Sequence, residues 1–115
     1  MKALRIDEHG DVTEVDLPDD AGGGFIGAVR ALVAAQSVQA VDITSRWDLW
    51  LDEVGITNGR PINPYATRLA HRYGISATLR GTVIVTGAHR EFGTAATLTP
   101  EQLATIRART IAKPD

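Results

Sequence analysis

Asp48, Asp52 and Glu53, with Asp42 just upstream, are the densest set of carboxylates in the chain. Two carboxylates held across a cleft with their pKa values pushed apart would make a general acid–base pair. Asp52 and Glu53 are adjacent, however, and neighbouring residues on a strand point to opposite faces. The alternating oxygen ligands of a calcium loop are missing as well, so the cluster reads as the solvated end of a hairpin. His9, His71 and His89 are far apart, and none stands at helical metal-ligand spacing from another, which gives no zinc site to argue for. With 0 cysteines, thiolate metal sites, disulfides and cysteine nucleophiles are excluded. No Ser or Thr occupies a G-x-S-x-G setting. Gly22-Gly23-Gly24-Phe25-Ile26-Gly27 precedes a helical pattern but lacks the Lys-Ser/Thr of a phosphate loop and the spacing of a dinucleotide fingerprint, so it reads as a flexible helix entry. No cofactor is called for.

Two constellations remain. Arg60, Arg68, His71 and Arg72 cluster around Asn63-Pro64. Free N–H groups at a helix start attract anions, and guanidinium groups add charge and directed donors. Arg60, Asn63, Arg68 and Arg72 are therefore the candidate set for a small anionic, nucleotide-like ligand, with a solvated helix face as the competing reading. Trp50 shares a strand face with Asp48 and Asp52, which puts it on the polar side of its strand and makes it a candidate interface residue. Trp47, Leu49 and Leu51 share the other, inward face.

The elements that must position these residues are legible. Ala3–Ile6 and Val12–Leu17 read as strands joined by His9-Gly10-Asp11, and the acidic alternation Glu14, Asp16 puts this pair near a sheet edge. Phe25, Ile26, Val29, Leu32 and Val33 fall at helical spacing. Val38–Ile43 and Trp47–Leu51 form a second hairpin, although no Gly or Pro marks the Thr44-Ser45-Arg46 turn. Asn63 caps a helix that Pro64 begins and Gly74 ends. Val83-Ile84-Val85 is a β-branched run for a central strand buried on both faces. Thr99, Pro100 and Gln102 open a last helix with a capping box, and Leu98 and Leu103 make its staple. The order ββαββαβα contains two hairpins, which excludes an all-parallel sheet and predicts an α+β fold with a mixed or mainly antiparallel sheet of about five strands. Phe25, Val29, Leu32, Val33, Trp47, Leu49, Leu69, Val83, Val85, Leu103 and Ile106 are expected to form one core.

A chain of 115 residues is one domain, residues 1–115, by length. Its net charge of -2 and pI near 5.9 disfavour nucleic acid and anionic membrane as partners. The start, Met1-Lys2-Ala3-Leu4-Arg5-Ile6-Asp7-Glu8, reaches acid before it builds an apolar run and does not read as a signal peptide. The longest apolar helical stretch, Phe25–Ala35, contains Arg30 and is too short for a membrane span. A cytoplasmic location is the expectation.

Asp52-Glu53-Val54-Gly55, Asn63-Pro64-Tyr65-Ala66-Thr67 and Gly81-Thr82-Val83-Ile84-Val85-Thr86-Gly87, in that order and followed by the Leu98-Thr99 helix start, resemble the bacterial and phage family known as domain of unknown function 3846. The resemblance covers Leu4 to Ile106. It implies a small single-domain product of the kind common in phages and mobile elements, and it transfers no activity and no catalytic residue. The resulting expectation is a non-enzymatic accessory protein that acts through a protein-binding or self-association surface. A homodimer formed partly by the Val38–Leu51 hairpin and Trp50, or a host protein on the same surface, would be the partner. The alternative is a binder of an anionic ligand at Asn63.

Overall fold

Val83-Ile84-Val85 offers no polar face to water, so only a strand covered on both sides can hold it. In the computed structural model, which describes residues 1–18, 24–88 and 95–111, this segment is the middle strand of five. In chain order the elements are β1 (Lys2–Ile6), β2 (Val12–Asp16), α1 (Gly24–Val33), β3 (Val38–Asp42), β4 (Trp47–Asp52), α2 (Pro64–Arg72), β5 (Val83–Gly87) and α3 (Pro100–Ile111). The sheet runs β2-β1-β5-β4-β3, and every neighbouring pair is antiparallel. The fold is α+β, with β2 and β3 as its two edges.

Local chemistry explains the hairpins. Between β1 and β2 the Asp7 carboxylate accepts the N–H groups of His9 and Asp11, each at 2.9 Å. Gly10 takes a φ of +93°, and a Cβ there would lie 2.7 Å from Cζ of Tyr65. The turn therefore needs glycine both for its backbone and for the ring above it. Between β3 and β4, Thr44 Oγ1 accepts the N–H groups of Arg46 (3.0 Å) and Trp47 (3.2 Å). A threonine side chain thus closes a turn that carries neither Gly nor Pro. The Thr99–Gln102 box is reciprocal, with bonds of 2.9 and 3.1 Å.

The expected single core is in fact two, because the sheet lies between them. Phe25, Ile26, Val29 and Val33 of α1 pack on Ala3, Val38, Trp50 and Ile84. Leu69 of α2 and Ile106 of α3 pack on the opposite face against Leu4, Leu49, Val83 and Val85. Leu32 and Leu103 are only partly buried. Full burial of one such aliphatic or aromatic side chain is worth about 1.5–3 kcal/mol, so both layers hold the sheet.

Trp50 corrects the reading of β4. Its side chain is 0% exposed. The ring meets Phe25 edge-on at 5.2 Å, and its Nε1 donates to Thr86 Oγ1 at 2.8 Å. The face that looked polar is the one α1 covers. Asp48 and Asp52 are buried beside Trp50, and alternation with carboxylates misidentified the wet side. All six residues of β4 are buried, which leaves Trp50 no surface to offer a partner. Trp47 is core as expected, edge-on to Tyr73 at 4.9 Å.

Candidate functional site

The residues singled out around Asn63 are bonded mainly to the protein itself. Asn63 has β backbone angles and caps α2 through Oδ1, which accepts the Ala66 N–H at 3.0 Å. Its Nδ2 donates to the carbonyls of Ile6 (3.0 Å) and Gly81 (2.9 Å), and its own N–H donates to Leu79 O at 2.8 Å. The residue is 0% exposed. Thr67, one turn on, pairs through Oγ1 with both the N–H and the carbonyl of Leu79. Asn63 and Thr67 thus tie α2 to β1 and to the segment before β5. A ligand at this helix start would meet no free atom of Asn63, and its ligand-binding assignment is corrected to a structural one.

Asp52 and Arg60 form the second knot. Asp52 is 3% exposed, which overturns its reading as part of a solvated hairpin end; Glu53 is exposed. Asp52 accepts from the Val54 N–H at 3.0 Å, Asn58 Nδ2 at 2.9 Å and Arg60 Nε at 3.0 Å. Burial alone would raise its carboxyl; the bonds from Asn58, Val54 and Arg60 outweigh burial and hold it below the usual carboxylate value. Arg60 also donates through Nη2 to the carbonyl of Ala34, the residue with a φ of 60° that follows α1. The Arg60 stem lies 3.5 Å from where a Cβ on Gly81 would be. This side chain latches the 53–62 loop to the end of α1 and is a structural residue rather than a free cation.

Arg68 and Arg72 stay on the outside of α2. Arg68 stacks over Tyr65 at 5.7 Å, and Arg72 is exposed in the last turn with His71. His71 Nε2 lies 3.1 Å from the Ala77 carbonyl. Of the four candidate ligand residues, two close the fold and two face solvent, so the structure does not bring them together as one site. Among the described residues no group of three or more His, Asp or Glu could hold a metal ion. His89 and most of the Gly22–Gly24 run lie outside the described residues.

The sequence placed its partner surface on the Val38–Leu51 hairpin without choosing a strand; the strand of that hairpin at the sheet's edge is β3. Ile43 N–H donates to Trp47 O and Glu53 N–H to Ser37 O, so the odd-numbered residues of β3 bond to β4. The N–H and C=O groups of Val38, Ala40 and Asp42 consequently point away from the sheet. Apart from Asp42 at its end, this strand bears no charge, Pro or bulge. The other edge is protected: β2 presents Glu14 and Asp16, and Arg107 Nη1 holds the carbonyl of Val12 at 3.1 Å. Beside β3 the latched loop rims a cleft of about 360 Å³ lined by Gln39, Leu51, Val54, Ile56, Thr78 and Arg80. Val54 is 47% and Ile56 78% exposed, and with Ile62 they are the large hydrophobic side chains that the described residues leave in solvent. Two sequence signals were available: an uncharged Val-Gln-Ala-Val run, and aliphatic residues inside a turn-rich loop.

The family model described as Domain of unknown function (DUF3846) matches residues 1–111. No curated protein and no solved structure matches the chain.

Proposed function

The chain belongs to this family of unknown function, and from that membership we propose that it is a non-enzymatic accessory protein, of the phage or mobile-element kind, that works by binding protein along the β3 edge. A second copy or a host protein is the partner class, and the cytoplasm is the compartment. The supporting observation is the contrast between the two sheet edges: β2 is charged and capped, whereas β3 is uncharged along most of its length and flanked by exposed Val54 and Ile56. An open edge supplies main-chain hydrogen bonds, and an adjacent cleft selects a side chain, which together are the elements of strand addition. Among the described residues no helix is long and apolar enough to cross a membrane.

The test is photo-crosslinking in cells that make the protein. A benzoylphenylalanine placed at Gln39 on β3 should give covalent adducts, and one placed at Thr13 on β2 should not. Absence of adducts from position 39 would refute the reading. The competing anionic-ligand reading keeps Arg68 and Arg72 but loses Arg60 and Asn63 to internal bonds.

A further inference from the structure

We infer that the outer face of the α2–α3 layer binds the phosphate backbone of nucleic acid, without base specificity, through Arg68, Arg72 and Arg109. This surface is separate from the β3 edge, and the inference does not rest on that reading.

The layer carries guanidinium groups that no acid neutralises. α2 contains no Asp or Glu, and α3 contains only Glu101, in its first turn, whereas Arg109 is in its last. Among the described residues the ion pairs are Lys2–Asp16, Arg5–Asp7 and Arg60–Asp52, and none includes an arginine of α2 or α3. Arg68 and Arg72 stand four residues apart on the outside of α2, about 6 Å along its axis, a spacing at which like charges repel. Arg109 comes to the same helix from α3. Its guanidinium lies 5.2 Å over the ring of Tyr73, the residue after Arg72, and its Nη1 donates to the Tyr73 hydroxyl at 2.6 Å. Arg107 turns instead to the Val12 carbonyl at the β2 edge and is not part of the set. The net charge of -2 hides this patch because the sheet separates the charges. Asp48 and Asp52 share the α1 side with Trp50, and Asp42, opposite Asp48 in the β3–β4 ladder, falls on that side too. Charges act over a Debye length of about 8 Å at physiological salt, so acids across the sheet do not cancel arginines on the far side of a helical layer.

Two features select nucleic acid as the anion. First, neutral groups position the guanidiniums: Arg68 sits 5.7 Å over the Tyr65 ring, as Arg109 sits over Tyr73. A guanidinium held on a ring is already ordered and keeps N–H donors for paired bonds to phosphate oxygens. Second, the face offers no apolar anchor. The exposed large hydrophobic side chains among the described residues are Val54, Ile56 and Ile62, all in the segment before α2. A protein partner would need an apolar centre to its contact, whereas nucleic-acid interfaces are more polar and far more positive. The reading is of backbone rather than sequence. α2 carries no Asn or Gln, and Gln102 of α3 is held in its capping box, so the amide side chains that read adenine are missing.

Fluorescence anisotropy on the full chain tests this, with labelled random-sequence DNA as duplex and as single strand in separate titrations. At least one form should bind at about 50 mM salt. Three phosphate contacts predict a slope of log affinity against log salt of about −2 for the single strand and about −2.7 for the duplex, so affinity should fall roughly 20–40-fold between about 50 and 200 mM salt. Arg68→Gln combined with Arg72→Gln should weaken binding by about tenfold or more and reduce the slope to between about −0.7 and −0.9. Arg109→Gln alone should reduce the slope by about one contact, which decides the matter should the double variant lose its circular dichroism spectrum. Arg30→Gln, exposed on α1 across the sheet, should leave affinity and slope as in wild type. Failure of both DNA forms to bind at about 50 mM salt overturns the inference. So does binding that survives loss of Arg68 and Arg72, or that falls as much with Arg30→Gln. Polyglutamate binding as tightly as DNA through the same arginines would mark an acidic polypeptide as the partner and overturn it equally.

Discussion

Asn63→Ala removes one small side chain and should be among the costliest single substitutions outside the apolar core. The side chain makes three hydrogen bonds in a position with 0% exposure. Loss of the cap alone costs about 1 kcal/mol. The carbonyls of Ile6 and Gly81 lose the shared Nδ2 donor where water does not reach, at about 1 kcal/mol each. The sum is about 3 kcal/mol, against a typical domain stability of about 5–15 kcal/mol. With a urea m-value of about 1–2 kcal/mol/M, the midpoint should fall by roughly 1.5–3 M. Thr99→Ala is the internal standard, because its capping box is exposed and its removal should cost no more than about 1 kcal/mol. Urea unfolding followed by circular dichroism measures both. If Asn63→Ala costs no more than Thr99→Ala, the argument that Asn63 joins three elements is wrong. Asn63→Asp keeps the capping acceptor but aims a carboxylate at two carbonyls, so its pKa in the folded state rises. The cost of that variant relative to wild type should be smallest below about pH 4 and grow as pH increases.

Other consequences can be measured as directly. Trp47 and Trp50 are 6% and 0% exposed, so native emission should be blue-shifted and insensitive to iodide; quenching comparable with the urea-unfolded chain would contradict the burial of Trp50. Gly10→Ala forces a left-handed backbone and pushes on Tyr65, and should cost at least about 2 kcal/mol by thermal or urea unfolding; a neutral result would mean that the turn and ring separate freely. Asp52 has a lowered folded-state pKa, so its stabilisation is complete above the ordinary Asp range and disappears as pH falls through the folded value. Asp52→Asn should therefore lower stability at pH 7 by about 2–3 kcal/mol and flatten the acid side of the stability profile; an acid limb as steep as that of wild type would refute the assignment.

Residues whose chemistry is local were readable in sequence. Asn63-Pro64 and Thr99-Pro100 announce helix starts because capping involves only neighbours in the chain, and Gly10 announces its turn for the same reason. Trp50 was misplaced because alternation reports which residues share a face, and it is silent on what covers that face. Its companions Asp48 and Asp52 look like solvent markers. Asp52 is instead satisfied by Asn58 and Arg60, partners that the loop brings back only after folding. Arg60 and Asn63 were grouped with Arg68 and Arg72 by proximity along the chain, although their bonds run to Ala34, Ile6 and Gly81.

What the sequence by itself determined is the element order, the two hairpins, the caps and the buried central strand, since each depends on periodicity or on contacts a few residues apart. Only the tertiary structure decided that the sheet separates two cores, that Asn63 and Arg60 close the fold, and that β2 is the charged, capped edge and β3 the mostly uncharged one. Those outcomes depend on pairings between distant segments, and a hydrogen-bonding group in sequence carries no sign of which distant partner will satisfy it.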